Sequence, residues 1–186
     1  MRIIGGKNKG KRIIMPLNKN TRPLRDLVKE SIFNLIEHSN NFKLDIKNSN
    51  ILDLFSGTGS FGLECFSRGA KHITFIESYK LILKVLKKNI QLINAEKNSF
   101  VIEKDCFKLF SKKINFKDKF DLIFLDPPYK EEKINLILEK IKDNNILKKD
   151  GVLIVHRHKK DNIVLTNRLE VIDTRYYGIS KIIILN

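Results

Sequence analysis

Only two cysteines, Cys65 and Cys106, occur in the 186 residues, too few for a disulfide scaffold or a cysteine-rich metal site. A reduced, cytoplasmic setting is therefore expected. No run of 18 apolar residues is present, so nothing reads as a transmembrane helix. The opening Met1-Arg2-Ile3-Ile4-Gly5-Gly6-Lys7 lacks the apolar stretch of a signal peptide. Acids are scarce as well: 21 Asp and Glu stand against 36 Lys and Arg, a formal net charge of +15. That excess argues for a nucleic-acid partner, because cations that neutralise phosphates release condensed counterions. The 42% of hydrophobic residues suffices for one compact core. A single domain over 1–186 is expected, with a basic arm at 1–25 and the core at 26–186.

Much of the cationic excess falls at the start. The first 29 residues carry Arg2, Lys7, Lys9, Lys11, Arg12, Lys19, Arg22, Arg25 and Lys29, with Asp26 the only acid. Ile3-Ile4 and Ile13-Ile14 flank a turn containing Gly5, Gly6 and Gly10. Two short apolar runs around such a turn predict an ordered β-hairpin with cations at its tip.

Beyond the arm, strands and helices alternate. Helical spacing marks Leu27 to Ile36, and strands are expected at Ile51–Phe55, His72–Glu77, Ser99–Glu103, Phe120–Leu125 and Val152–His156. Helices are expected between them, near Ser60–Arg68, Tyr79–Ile93, Phe107–Ser111 and Glu131–Lys142, and Lys149-Asp150-Gly151 reads as a turn. Such alternation implies an α/β fold, a doubly wound Rossmann-like sheet that is mostly parallel. Two last strands, Leu169–Tyr177 and Ser180–Leu185, meet at Gly178. They leave no room for a crossover helix and should form an antiparallel hairpin.

The chemistry gathers where strands end. The first strand runs into Asp53-Leu54-Phe55-Ser56-Gly57-Thr58-Gly59-Ser60-Phe61-Gly62, a glycine-rich turn into a helix. Its backbone can approach a nucleotide closely, and Glu77 lies 20 residues past Gly57, where a ribose-binding acid belongs. By itself this turn serves NAD, FAD and S-adenosylmethionine alike. Asp53 presents negative charge that suits a pyrophosphate poorly but fits the ammonium and sulfonium groups of S-adenosylmethionine. Asp105, followed by Cys106, is placed to accept from an adenine amino group. Four strands in a row thus end at or near an acid: Asp53, Glu77, Asp105 and Asp126.

Asp126 opens Asp126-Pro127-Pro128-Tyr129. Prolines stiffen this loop and lack N–H groups, so their carbonyls serve as bare acceptors. Tyr129 offers a stacking face and Asp126 a carboxylate. The set suits a planar NH₂ group that is held in plane and relieved of a proton, as in methylation of a nucleobase amine.

These stretches together resemble the class I S-adenosylmethionine-dependent methyltransferases, and within them the bacterial 16S ribosomal RNA guanine-N2 methyltransferases of the RsmD type. The glycine loop and Asp126-Pro127-Pro128-Tyr129 are shared across the wider class. Met1-Arg2-Ile3-Ile4-Gly5-Gly6, Lys9-Gly10-Lys11, Arg22-Pro23 and Lys29-Glu30-Ser31-Ile32-Phe33-Asn34 narrow the family. The resemblance implies a seven-stranded sheet, S-adenosylmethionine as donor and a guanine of 16S rRNA or the small ribosomal subunit as acceptor. Apart from the resemblance, a monomer is the simplest expectation, with neither metal nor membrane as partner. Cofactor contacts would fall to Asp53, Phe55, Ser56, Gly57, Gly59, Glu77, Ser78, Asp105 and Cys106. Catalysis would fall to Asp126, Pro127, Pro128 and Tyr129. RNA phosphates would meet Arg2, Lys7, Lys9, Lys11, Arg12, Arg22, Arg25 and Lys29.

Two positions depart from the family pattern: Leu24 follows Arg22-Pro23 where relatives often have threonine, and His156 stands where many carry glutamate. Arg157-His158-Lys159-Lys160, following His156, is expected as a cationic cluster on the active rim, with His156 a phosphate contact or surface residue in preference to the alternative of a catalytic base. Rival readings are an adenine-N6 methyltransferase, a glutamine-amide methyltransferase and a non-enzymatic RNA-binding assembly factor. An NAD-dependent enzyme is disfavoured by Asp53 and by the lack of a hydride-transfer site.

Overall fold

The structure, a computed structural model, describes residues 1–16, 24, 26–128, 133–161 and 169–186. Seven strands, β1 (Asn50–Leu54), β2 (His72–Ile76), β3 (Ser99–Ile102), β4 (Phe120–Leu125), β5 (Leu147–His158), β6 (Val171–Tyr177) and β7 (Ser180–Leu185), form one sheet in the order β3-β2-β1-β4-β5-β7-β6. The first five pair in parallel, and β7 runs antiparallel to both β5 and β6. This is the expected mostly parallel sheet with its closing hairpin. The helices are α1 (Asp26–His38), α2 (Ser60–Ser67), α3 (Lys80–Leu92), α4 (Cys106–Phe110) and α5 (Ile134–Asp143). Residues 131–132 of the predicted fifth helix lie outside the described residues.

Strand alternation builds two cores. Ile51, Leu122, Phe124, Ile154 and Ile182 face α1, α2 and α3, where Phe61 stacks on Phe124 with ring centroids 3.8 Å apart. Leu52, Leu54, Ile123, Leu125, Val155 and Ile183 face α4 and α5. Both faces of the central strands are covered, which is why these strands read as continuous apolar runs. Gly62 permits α2 to lie directly on β2: a Cβ there would stand 2.4 Å from Phe75 and 2.8 Å from Ile73.

One expected turn is absorbed into a strand. Phe120 pairs with Leu147 and Leu122 with Val152, so β5 carries extra residues at Lys149-Asp150-Gly151, where the sequence predicts a turn. The reversal survives as a bulge, a device that lets a strand keep pairing across inserted residues.

The arm is ordered, but its hairpin has shrunk to one bridge between Arg2 and Arg12 around a single 3₁₀ turn at Gly6–Asn8. The physical reason is that its amides find partners on the core. Glu64, fully buried on α2, accepts from the Ile4 and Gly5 N–H groups, each at 2.7 Å. Ser67 accepts from Asn8 N–H at 2.9 Å and donates to the Gly5 carbonyl. Asn89 on α3 accepts from Ile14 N–H at 2.7 Å and donates to the carbonyls of Ile14 and Thr58. Gly6 has φ +71, and a Cβ there would fall 1.9 Å from the Ser67 carbonyl oxygen. Only glycine combines that backbone with that approach.

Candidate active site

The strand order reverses between β1 and β4, and their carboxyl ends open the crevice where α/β sheets take ligands. Asp53 pairs with Phe124 across this seam, so Asp126, two residues on, emerges on the same face. The loop after β1 is held from both sides. Ser56 is buried, with its hydroxyl donating to the Asp53 carbonyl at 2.6 Å and accepting from Ile76 N–H at 2.9 Å. Glu77, at the end of β2, accepts from Gly57 N–H at 2.9 Å, from Ser78 N–H at 2.7 Å and from Tyr79 N–H at 2.8 Å. Phe55 takes a left-handed backbone, φ +57, uncommon for a bulky residue and a form of strain that gathers at functional sites. Its ring lies against Phe107, centroids 5.3 Å apart.

Asp53 is buried and accepts from the Gly62 N–H at 3.0 Å. Among the described residues no basic side chain comes within ion-pair distance of it. Burial pushes its pKa well above the usual carboxylate range, and the charges of Asp126 and Glu77 push further, against the Gly62 hydrogen bond. Gly59 precedes α2 in a left-handed conformation and leads its backbone into the same crevice.

On the far side, Asp105 caps α4 by accepting from Lys108 N–H at 2.8 Å and stays partly exposed. Cys106 beside it is buried, which raises its thiol pKa, opposed by a hydrogen bond from the Phe55 backbone. The structure therefore gathers the ends of β1, β2 and β4 and the start of α4 around one crevice. Pro127 is buried and Pro128 exposed; Tyr129 lies outside the described residues.

Two residues at the end of β5 complete the site and correct the sequence-based expectation. His156 is 5% exposed, no surface histidine, and its Nδ1 lies 2.7 Å from Asp126 Oδ1 while Nε2 lies 2.9 Å from the Ser180 hydroxyl. Arg157, expected as a rim cation, is buried and donates to the Pro128 carbonyl at 3.0 Å. It also pairs with Asp161 at 3.0 Å. The signal that could have found them is register. Leu125 pairs with Val155, so the next residues, Asp126 and His156, stand opposite each other.

The arm presents Arg2, Lys7, Lys9, Lys11 and Arg12 to solvent, and Lys7 sits 3.8 Å over the Phe66 ring. Arg22 and Arg25 lie outside the described residues. Lys29 is a correction. It is 0% exposed, and its ammonium donates to the Arg2 carbonyl at 2.8 Å and to the Ser60 hydroxyl at 3.1 Å. Glu64 and Asp26 stand 3.7 Å away. Burial lowers its pKa against both acids, and no phosphate reaches it in this arrangement. It holds the arm to α2 instead.

This fold is shared by a putative S-adenosylmethionine-dependent methyltransferase from Streptococcus mutans, with a TM-score of 0.62 over 86% of this chain and 47% of that one, at 16% identity. The putative methyltransferase yhhF from Escherichia coli matches it with a TM-score of 0.84 over 100% of this chain and 96% of that one, at 24% identity. The chain belongs to the family described as Conserved hypothetical protein 95, which matches residues 1–186. The putative rRNA methyltransferase YlbH of Bacillus subtilis is 32% identical over 160 residues, covering 86% of this chain and 84% of its own. Ribosomal RNA small subunit methyltransferase D of Haemophilus influenzae is 31% identical over 183 residues, covering 96% and 90%.

Proposed function

We propose that this chain methylates the exocyclic N2 amino group of a guanine in the RNA of the small ribosomal subunit, with S-adenosylmethionine as donor. The observation that carries the reading is the pairing, across the β1–β4 seam, of a buried carboxylate that has no counterion among the described residues and an acid-Pro-Pro loop. Bound S-adenosylmethionine supplies an electrophilic methyl group on a sulfonium centre. Asp53 fits its cationic end; Glu77 Oε2, which accepts one hydrogen bond, keeps a lone pair for a ribose hydroxyl, and Asp105 Oδ2 would accept from the adenine amine.

The remaining work belongs to the chain. A guanine N2 lone pair is delocalised into the ring and attacks poorly. Asp126 Oδ1 is engaged by His156, and among the described residues Oδ2 accepts no hydrogen bond. Oδ2 and the Pro127 carbonyl would take the two amine N–H groups, holding the base in plane and localising the lone pair as the new bond forms. Asp126 Oδ2 would then receive the proton shed by the methylated amine. Arg157 fixes the Pro128 carbonyl, so the loop does not yield when the base enters. A paired base could not reach this crevice, so the guanine must be unstacked or flipped. Tyr129 would stack on it, and the arm cations would hold flanking phosphates.

The test uses labelled S-adenosylmethionine with 16S RNA, or with small subunits from a strain lacking its own enzyme. Nuclease digestion and mass spectrometry then identify the product. N2-methylguanosine at one position is expected. N6-methyladenosine, or label in protein alone, overturns the guanine assignment.

A further inference from the structure

His156 and Ser180 are polar side chains 5% and 3% exposed, inside a sheet otherwise lined there with isoleucine, and no sequence motif assigns them a role. Their placement follows from the pleat. His156 pairs with Ile182 and His158 with Ser180, so Ser180 is the diagonal neighbour of His156 on the same face. That face also carries Phe124 and Asp126. The result is a chain of hydrogen bonds, Asp126 Oδ1 to His156 Nδ1 at 2.7 Å and His156 Nε2 to Ser180 Oγ at 2.9 Å. Buried polar groups are costly unless so paired, and a satisfied network locks one arrangement.

We propose that His156 is a positioning residue for Asp126. It rests on the reading of Asp126 as the acceptor of the amine protons. A carboxylate oxygen can only accept, so Nδ1 carries the hydrogen whether the ring is neutral or charged. The Ser180 hydroxyl rotates to serve either state, donating to a bare Nε2 or accepting from a protonated one. Held by this donor, Oδ1 is fixed and Oδ2 is aimed into the crevice. Arg157, the next residue and on the opposite face, holds the Pro128 carbonyl. Consecutive residues of one strand thus hold the first and third residues of the loop, from two sides of the sheet. Ser-His-Asp connectivity does not make a hydrolase here, because the Ser180 oxygen is shut inside the sheet.

Two substitutions separate the two hydrogen bonds. In His156→Asn the amide nitrogen stands where Nδ1 stood and still reaches Asp126. In His156→Gln the amide stands near Nε2, serves Ser180 and leaves Asp126 unheld. Both variants are first shown to be folded by thermal unfolding and to bind S-adenosylmethionine by calorimetry. His156→Gln is expected to lose roughly 100-fold in kcat, the scale of a misaimed reacting group, with KM for RNA changed less than about two-fold. His156→Asn is expected to recover most of that loss. Equal loss in both variants, or full kcat in His156→Gln, overturns the proposal. Nitrogen-15 spectra of histidine-labelled wild-type protein give a reading independent of turnover. A proton on Nδ1 of His156 that shifts on Asp126→Ala is expected, and a bare Nδ1 refutes the contact. Asp126→Ala itself should abolish transfer while S-adenosylmethionine still binds. Normal transfer by that variant overturns the functional reading and this inference with it. Loss in Asp126→Ala with full activity in His156→Gln overturns this inference alone.

Discussion

Glu64→Gln should unfasten the arm, at a cost that can be worked from its hydrogen bonds. The carboxylate is fully buried and accepts from three donors: Ile4 N–H, Gly5 N–H and the Arg68 Nε, the last at 3.0 Å. A glutamine keeps one acceptor oxygen and turns the other into an NH₂, which then faces a backbone N–H whichever way the amide lies. One charge-assisted bond of about 1.5–3 kcal/mol disappears and a donor–donor clash takes its place. The charge opposite buried Lys29 goes as well, and breaking a buried pair from one side costs about 3–5 kcal/mol in total. At this chain length each kcal/mol moves Tm by about 2–4 °C, so a fall of about 6–20 °C is expected. Circular dichroism melting and urea unfolding would measure it, and limited proteolysis should show the first 16 residues cut before the core. A variant within about 1 kcal/mol of wild type, with its arm still protected, would refute the account of Glu64 as the fastening of the arm.

Asp53→Asn should stabilise the ligand-free protein at neutral pH by on the order of 1 kcal/mol while weakening S-adenosylmethionine binding, because a neutral amide keeps the Gly62 hydrogen bond without a buried charge. The sign follows from linkage: an acid whose folded pKa is raised binds more protons when folded, so it lowers stability as pH rises through the window above its unfolded value. Denaturant unfolding from pH 4 upward should show a flatter profile in the variant; a ligand-free variant less stable than wild type at pH 7 would contradict this. Gly62→Ala drives a methyl group into Phe75 and should cost about 1–3 kcal/mol by urea unfolding. No loss would mean α2 can back away from β2. Neutralising Lys7, Lys9, Lys11 and Arg12 together should reduce the salt dependence of RNA binding, by about 0.7–0.9 in log–log slope for each phosphate no longer neutralised. An unchanged slope would remove the arm from the RNA interface.

The mostly parallel sheet, its closing hairpin and the acids gathered at the strand ends were legible because glycine and acid residues punctuate the apolar runs. What escaped were residues whose character contradicts their place. Lys29 reads as one more cation in a basic segment, yet it shares a helix stripe with Ile32, Phe33 and Ile36, at the i, i+3, i+4, i+7 positions that turn inward. Its partner Glu64 comes from a helix some 35 residues on, a pairing no local pattern announces. His156 sits beside Arg157, His158, Lys159 and Lys160, and sequence averages it with that cluster. Strand parity separates it, but parity identifies a partner only once the register of β4 against β5 is known. The extension of β5 back to Leu147 was hidden for the opposite reason: exposed charges and a glycine look like a turn even while the chain stays in the sheet.

Asn89 ties these parts together. Its single side chain touches the arm at Ile14 and the glycine loop at Thr58, while Glu64 and Ser67 grip the other half of the arm from the helix that this loop begins. The backbone that carries Lys7, Lys9 and Lys11 is therefore fastened at both ends to the elements that bear the glycine loop, and the two cannot shift independently. If the arm cations hold RNA phosphates as proposed, this tie would fix which base along the strand stands over the crevice, with no need for a contact to its neighbours.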